Sequence, residues 1–392
     1  MSRYYSYINS AKQILQAYHG EEPFASFLKK YFSANKKYGS KDRKHISNLC
    51  YCFFRLGKAG MDLDAEERIL TGLFLSTVES NEILATISPE WNDKVRVSIN
   101  EKLLIIKYSL LIPKIFPWQS ELSCGIDHKK FCESFLVQPD LFIRLRPGKE
   151  DLVKHKLKNA GIEFLEVSGS ALALPNTSKL ENIIRVDKEA VIQDHSSQLV
   201  GGFIKSEIEK FDKDVSVWDC CAASGGKSIM TYDINPEIQL TVSDIRESIL
   251  ANLKKRFQKA EINNYKSFVI DLEKNNIQQS IINNQFSMII ADVPCSGSGT
   301  WSRTPEQLFY FDERKIDEYA SLQKKILSNI IPHLKPGGSL IYITCSVFKK
   351  ENEEVAEFAR SDLSLRLIKQ EVIKGYDKRA DSMFVAVLGK DL

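Results

Sequence analysis

Long apolar runs are missing from this chain: nowhere do roughly eighteen consecutive apolar residues follow one another, so no segment reads as a bilayer-spanning helix. The opening MSRYYSYINSAKQ also lacks the basic-then-apolar order of a secretion signal, and a soluble, cytoplasmic protein without a membrane partner is expected. No Cys-x-x-Cys occurs among the eight cysteines, and the six histidines do not gather near them, so no metal site is expected. In a reducing compartment those cysteines are expected as free thiols. A strong charge of one sign is absent too: 54 Lys and Arg against 51 Asp and Glu leave a net charge of only +3. There is no internal repeat and no low-complexity tract.

What is present is enough chain, 392 residues with 43% of them apolar, for two or three globular domains. Residues 1–130 read as all-helical, because apolar residues recur at three- and four-residue spacing, as in Ile14, Leu15, Tyr18 and Phe24, Phe27, Leu28, Tyr31. The first sixty residues carry eleven Lys and Arg but only three acids, the imbalance of a surface that neutralises phosphates; a solvated helical face accounts for it equally well. Lys36, Lys37, Arg43 and Lys44 are the candidate RNA contacts. Residues 138–190 form a small α/β module, with a strand at Leu141–Ile143, a helix from Glu150 to Ala160 and a strand at Ala171–Leu174. From residue 191 to 392 strands and helices alternate, predicting a doubly wound, mostly parallel α/β sheet with strands at Val215–Trp218, Leu240–Ser243, Ser267–Ile270, Ser287–Ala291, Leu340–Thr344 and Phe384–Leu388.

The first of those strands runs into Asp219-Cys220-Cys221-Ala222-Ala223-Ser224-Gly225-Gly226-Lys227-Ser228. Small residues and paired glycines at that place let backbone approach a ligand, where doubly wound sheets bind nucleotides. Gly226-Lys227-Ser228 imitates a phosphate-binding P-loop, but the motif needs glycine where Cys221 stands, and no G-x-G-x-x-G occurs. A nucleoside without a polyphosphate remains. Asp244, ending the second strand, suits the two hydroxyls of a ribose, and Asp271, ending the third, suits the base end. Either aspartate alone would also serve as the N-cap of a following helix.

The fourth and fifth strands deliver Asp292-Val293-Pro294-Cys295-Ser296-Gly297 and Thr344-Cys345-Ser346. A lone strand-end cysteine is more often a small buried hydrophobe than a nucleophile, but two at neighbouring strand ends suggest chemistry. The C5 atom of cytosine is a poor nucleophile until a thiolate adds to C6 and turns the ring into an enamine that can attack a methyl sulfonium. A carboxyl such as Asp292 suits stabilisation at N3 and the exocyclic amine.

Together the stretches 219–228, 292–300 and 344–353 (TCSVFKKENE) resemble the motifs of the RNA cytosine-5 methyltransferase family of the Sun/Nop, RsmB-like type, over about residues 139 to 389. The helical front, through Lys41-Asp42-Arg43-Lys44 and Tyr51-Cys52-Phe53-Phe54-Arg55, is similar to the NusB-like domain of the ribosomal members. This resemblance implies a Rossmann-like catalytic domain, S-adenosyl-L-methionine as cofactor, and RNA, ribosomal above transfer RNA, as the partner of a monomer. It implies Cys345 as the nucleophile at C6 and Cys295 as the group that assists release. It implies cofactor contacts at Cys221, Ala222, Ala223, Ser224, Gly225, Gly226, Lys227, Asp244, Asp271 and Asp292, with Glu351-Asn352-Glu353 as structural support.

Two positions depart from the family pattern. Ser224 stands where proline is usual, and Arg144-Leu145-Arg146 stands where Arg-x-Asn is common; the second bears on which RNA is bound. A DNA cytosine methyltransferase would show Pro-Cys-Gln and no Thr-Cys-Ser. A non-catalytic RNA-binding assembly factor would be free to lose Lys227, Asp292, Cys295 or Cys345, and all four are present.

Overall fold

The computed structural model describes residues 3–211, 214–274 and 285–392. They form two compact units. One comprises Met1–Ser120, Asp127–Gln138 and Thr300–Asp312; the other comprises Glu121–Ile126, Pro139–Gly299 and Glu313–Leu392.

The first unit is helical. Its helix Arg3–Ala17 buries Tyr7, Ile8, Ala11 and Ile14, and Phe24–Ala34 buries Phe24, Leu28 and Phe32, the spacing that a one-sided apolar stripe requires. Asp64 starts Ala65–Ser76 by accepting from the backbone of Glu66 and Glu67, while Glu67 returns to the Asp64 N–H. The segment Thr300–Asp312 belongs to this core: Trp301 and Leu308 are buried, and the Phe309 ring lies tilted against Phe53, centroids 5.4 Å apart. Carbonyls of this segment and of residues 135–137 consume cations that the sequence counts toward a basic surface. Arg55 donates to the carbonyls of Phe135, Val137 and Ser302, and Lys58 donates to those of Phe309 and Phe311. Arg43 also turns inward, its Nε donating to the Tyr38 carbonyl and its guanidinium lying 5.7 Å from the Phe32 ring centre. Lys36, Lys37, Lys41 and Lys44 stay exposed.

The second unit holds two sheets. The smaller, antiparallel one comprises β1 (Leu141–Leu145), β2 (Leu165–Ser168), β3 (Ala171–Leu174) and β4 (Ala190–Ile192), in the order β2-β3-β1-β4. The larger has the order β10-β11-β9-β8-β5-β6-β7. Its strands are β5 (Ser216–Asp219), β6 (Gln239–Asp244), β7 (Tyr265–Val269), β8 (Phe286–Asp292), β9 (Leu334–Thr344), β10 (Leu365–Ile373) and β11 (Met383–Lys390). β5 to β9 are mutually parallel, while β11 runs antiparallel to β9 and β10 antiparallel to β11. Successive side chains serve opposite faces: Val217 packs with Ile204, Ile229 and Phe257, and Trp218 with Ile289, Leu327 and Tyr342.

This is the expected Rossmann-like sheet, and all six expected strands are in it. Three further strands, β2, β4 and β10, were not expected. β10 is an edge strand whose Arg366, Lys369, Gln370 and Glu371 face water, so its sequence lacks the apolar run of the central strands. Because β6 and β7 lie to one side of β5 while β8 and β9 lie to the other, the connections diverge between β5 and β8. That switch point opens a crevice at the carboxyl ends of the strands. Among the described residues, no helix is long and apolar enough to cross a membrane.

Candidate active site

β5 ends at Asp219 and turns through Cys220–Gly225 into the helix Gly226–Ile234. The turn needs left-handed backbone at Ala223 (φ 44°) and Gly225 (φ 83°), and a side chain at Gly225 would meet Phe257 at 2.9 Å. It is tied to the neighbouring strand: the Ala222 N–H donates to the Ser243 carbonyl at 2.8 Å, and the Ala223 N–H to Asp244 Oδ2 at 3.0 Å. Asp244, buried at the end of β6, also accepts from the N–H and Nε of Arg246 at 2.9 and 3.1 Å. Asp271 follows β7, accepts from the Glu273 N–H at 3.0 Å and pairs with Lys274 at 3.2 Å. Cys221, Ala223, Asp244, Asp271, Asp292, Cys295 and Cys345 all line one cavity of about 510 Å³, whose apolar walls include Ile245, Ile270, Leu272, Leu322 and Ile326. Carboxylates, apolar walls and sulfur in one cavity fit a nucleoside joined to a reactive group.

The two cysteines meet. Cys295 Sγ and Cys345 Sγ are 3.3 Å apart. The hydrogen bond to Cys345, and then burial, hold the Cys295 thiol well above the ordinary cysteine value. Beside them Lys227 Nζ reaches Asp292 Oδ2 at 2.6 Å. Burial opposes the lysine's charge, but the Asp292 carboxylate and the Cys345 sulfur outweigh it and raise its pKa. That ion pair sets a positive charge beside the Cys345 sulfur.

Two buried carboxyls hold this arrangement: Asp219, to which the sequence reading gave no role, and Glu351, which the resemblance marked as structural support. Asp219 is buried and accepts from Ser228 Oγ at 2.5 Å; burial pushes its carboxyl up to about 7 against that hydrogen bond. Glu351 is fully buried and joins the two cysteine loops. Its Oε2 accepts from the Ser296 N–H at 2.8 Å and Gln323 Nε2 at 3.1 Å, and its Oε1 from Ser346 Oγ at 2.7 Å. Burial raises this carboxyl in spite of its donors. Asn352 bonds Thr344 Oγ1 and the Ser346 carbonyl, while Glu353 accepts from Ser123 Oγ and the Cys124 N–H. Gly299 lies where any side chain would strike the Ser382 carbonyl at 2.0 Å, and its N–H donates to the Cys345 carbonyl at 2.9 Å. Nothing in the residue pattern marks Asp219 as a buried carboxyl; for Glu351 the signal was the family resemblance, which gave Glu351-Asn352-Glu353 as structural support.

The departure at Arg144-Leu145-Arg146 is not an RNA-facing feature. Both guanidiniums point inward to Asp233, Arg144 Nη1 at 2.6 Å and Arg146 Nη2 at 2.6 Å. Arg144 on β1 and Arg146 just past its end lie two residues apart, and both turn to the helix bearing Asp233.

The sheet order, the glycine-bearing turn after β5 and the acids ending β6 and β8 define an S-adenosylmethionine-dependent methyltransferase domain. The family of 16S rRNA methyltransferases RsmB/F matches residues 208–386, a little under half of the chain. The ribosomal RNA small subunit methyltransferase B of an Enterobacter species is 36% identical over 157 residues, 38% of this chain and 35% of that protein. The enzyme of the same name from Proteus mirabilis is 29% identical over 224 residues, 55% of this chain and 51% of that protein. The matched stretches thus span between about a third and half of these relatives' lengths. In fold the chain is similar to a methyltransferase homolog protein from Pyrococcus horikoshii, with a TM-score of 0.57 and 21% identity over 74% of this chain and 98% of that one.

Proposed function

We propose that this protein methylates C5 of a cytosine in ribosomal RNA, with S-adenosylmethionine as methyl donor and Cys345 as nucleophile. The observation that carries this reading is the pair of sulfurs 3.3 Å apart, on neighbouring strand ends of one cavity, with a Lys227–Asp292 ion pair beside them. Two convergent thiols are superfluous for transfer to an amine or hydroxyl; they suit a ring that must first be attacked and later released.

Cys345 adds to C6, forming the S–C6 bond and placing nucleophilic character on C5. The bound cofactor supplies an electrophilic methyl group on a sulfonium. Asp292, on the cavity wall, stabilises N3 and the exocyclic amine as charge shifts into the ring. Cys295 then assists loss of the C5 proton, so that the S–C6 bond breaks and the aromatic ring returns. Lys227 keeps positive charge beside Cys345 before the attack and beside Asp292 throughout.

The relatives named for ribosomal RNA, and the NusB-like resemblance of the helical front, support ribosomal RNA as substrate. Exposed Lys36, Lys37 and Lys44 are the phosphate contacts, whereas Arg43 contributes through the shape of the loop it closes. Reversing the three lysines to glutamate should reduce the slope of log affinity for RNA against log salt by roughly 2, about 0.7 for each phosphate no longer neutralised. Cofactor affinity should stay unchanged. An unaltered slope in filter binding across a salt series would return these lysines to the role of a solvated face.

On the cofactor side, Asp244 is the ribose acceptor. Its replacement by alanine removes charge-assisted hydrogen bonds and the acceptor of the Ala223 N–H, which should weaken S-adenosylmethionine binding roughly ten- to a hundredfold. Titration calorimetry giving an unchanged affinity would remove Asp244 from the site.

A further inference from the structure

Ser224, the residue that departs from the family's proline, sits between two left-handed positions, Ala223 and Gly225, yet keeps a negative φ itself. A non-glycine residue such as Ala223 stays in that region only when its surroundings fix it. Three contacts do so. Two come from β6, at the N–H groups of Ala222 and Ala223. The third comes from the helix Glu247–Lys259, where Arg256 Nη1 donates to the Ser224 carbonyl at 2.8 Å and to Ser224 Oγ at 3.0 Å.

Arg256 is itself anchored. Its Nε and Nη2 reach Asp187 Oδ1 at 2.9 and 2.7 Å, and the Asp187 side chain is only 5% exposed. Asp187 is held in turn: it has φ 71°, its N–H donates to the Ala190 carbonyl, and its own carbonyl accepts from Arg146 Nη1 at 3.2 Å. The same Arg146 clasps Asp233 near the end of the helix that the turn begins. One chain of polar contacts therefore grips the turn at Ser224 and again past its far end, and both grips lead to the segment between β3 and β4.

We propose that Arg256, seated by Asp187, is a positioning residue for cofactor binding: its planar fork holds the Ser224 carbonyl and so fixes the turn against which the cofactor's ribose end binds. The arginine supplies here the restraint that proline supplies in the family pattern. Arg256 does not line the cavity, so its loss changes the turn and not the direct contacts. A lysine in its place could not serve Asp187 and the Ser224 carbonyl together, because its single ammonium lacks the fork. The inference rests on the cofactor reading of the cavity.

The test is calorimetric titration of the full chain with S-adenosylmethionine, alongside steady-state rates on ribosomal RNA and thermal melting, for four proteins. They are the wild type, Arg256→Ala, Arg256→Lys and the double variant Arg256→Ala with Ser224→Pro. The wild type should bind; both single variants should bind about tenfold more weakly with an equal rise in KM for the cofactor. Their kcat should stay within about twofold, and the double variant should recover most of the lost affinity. Wild-type affinity in Arg256→Ala would overturn the proposal. So would a joint loss of kcat, melting temperature and affinity that Ser224→Pro does not repair, which marks a merely structural arginine. A wild type that binds no S-adenosylmethionine would overturn the cofactor reading itself, and this inference with it.

Discussion

Glu351→Ala is expected to lower stability by roughly 3 kcal/mol or more and to reduce methyl transfer by at least about a hundredfold. Alanine leaves the Ser296 N–H, the Gln323 amide and the Ser346 hydroxyl without their acceptor in a site closed to water, and each such orphan costs about 1–3 kcal/mol. In a unit of this size that corresponds to a fall in melting temperature on the order of 5–10 °C. Activity suffers beyond stability, because Ser296 follows Cys295, Ser346 follows Cys345, and a shift of either loop separates sulfurs that must act on one ring.

Glu351→Gln should be nearly silent by comparison. Its carbonyl keeps the Ser296 and Gln323 donors, and its amide donates to Ser346 Oγ, which accepts as readily as it donates. The two proteins should also differ with pH. Burial raises the Glu351 carboxyl in the folded state, so the folded protein holds a proton that the unfolded chain has released. Stability from that proton is present at low pH and fades as pH climbs through the ordinary glutamate range toward the raised value. Glutamine lacks this loss, and melting scans across pH should show the variant gaining on the wild type as pH rises. Equal melting of Glu351→Ala and wild type would mean that Glu351 does not tie the loops.

The sequence made the catalytic fold legible because central parallel strands are continuous apolar runs between turn residues, and Val215–Trp218, Leu240–Ser243 and Ser287–Ala291 fit that pattern. β10 escaped because an edge strand can be as polar as a loop. Within the site, the positions that the resemblance named do converge: Asp244, Asp271, Asp292, Cys295 and Cys345 share one cavity. What remained hidden is whatever depends on direction. Charge counting placed Arg43, Arg55 and Lys58 on a basic surface, but cations beside carbonyl-rich turns satisfy buried backbone instead. The same blindness let the departure at Arg144-Leu145-Arg146 bear on the choice of RNA, when Arg144 on β1 and Arg146 just past its end both turn to Asp233. Ser224 was legible only as a departure from proline; its partner is Arg256, thirty-two residues further along the chain, a pairing that only the helix Glu247–Lys259 brings about.

The two cysteines carry the central claim, and their roles differ in time. Cys345→Ala should abolish methyl transfer, because without a sulfur at C6 the C5 carbon cannot attack a sulfonium, while RNA and cofactor still bind. Cys295→Ala removes the sulfur 3.3 Å from Cys345 and leaves the proposed nucleophile in place. This variant should attack and methylate but release slowly, so that protein and RNA stay joined through the S–C6 bond. The direct measurement is denaturing gel electrophoresis of each variant after incubation with ribosomal RNA and methyl-labelled S-adenosylmethionine. The account predicts a slow-migrating, labelled protein–RNA band with Cys295→Ala, none with Cys345→Ala and none with the double variant. A band that appears with Cys345→Ala and vanishes with Cys295→Ala would reverse the two roles, and label transferred to RNA by Cys345→Ala at the wild-type rate would contradict cysteine-mediated attack altogether.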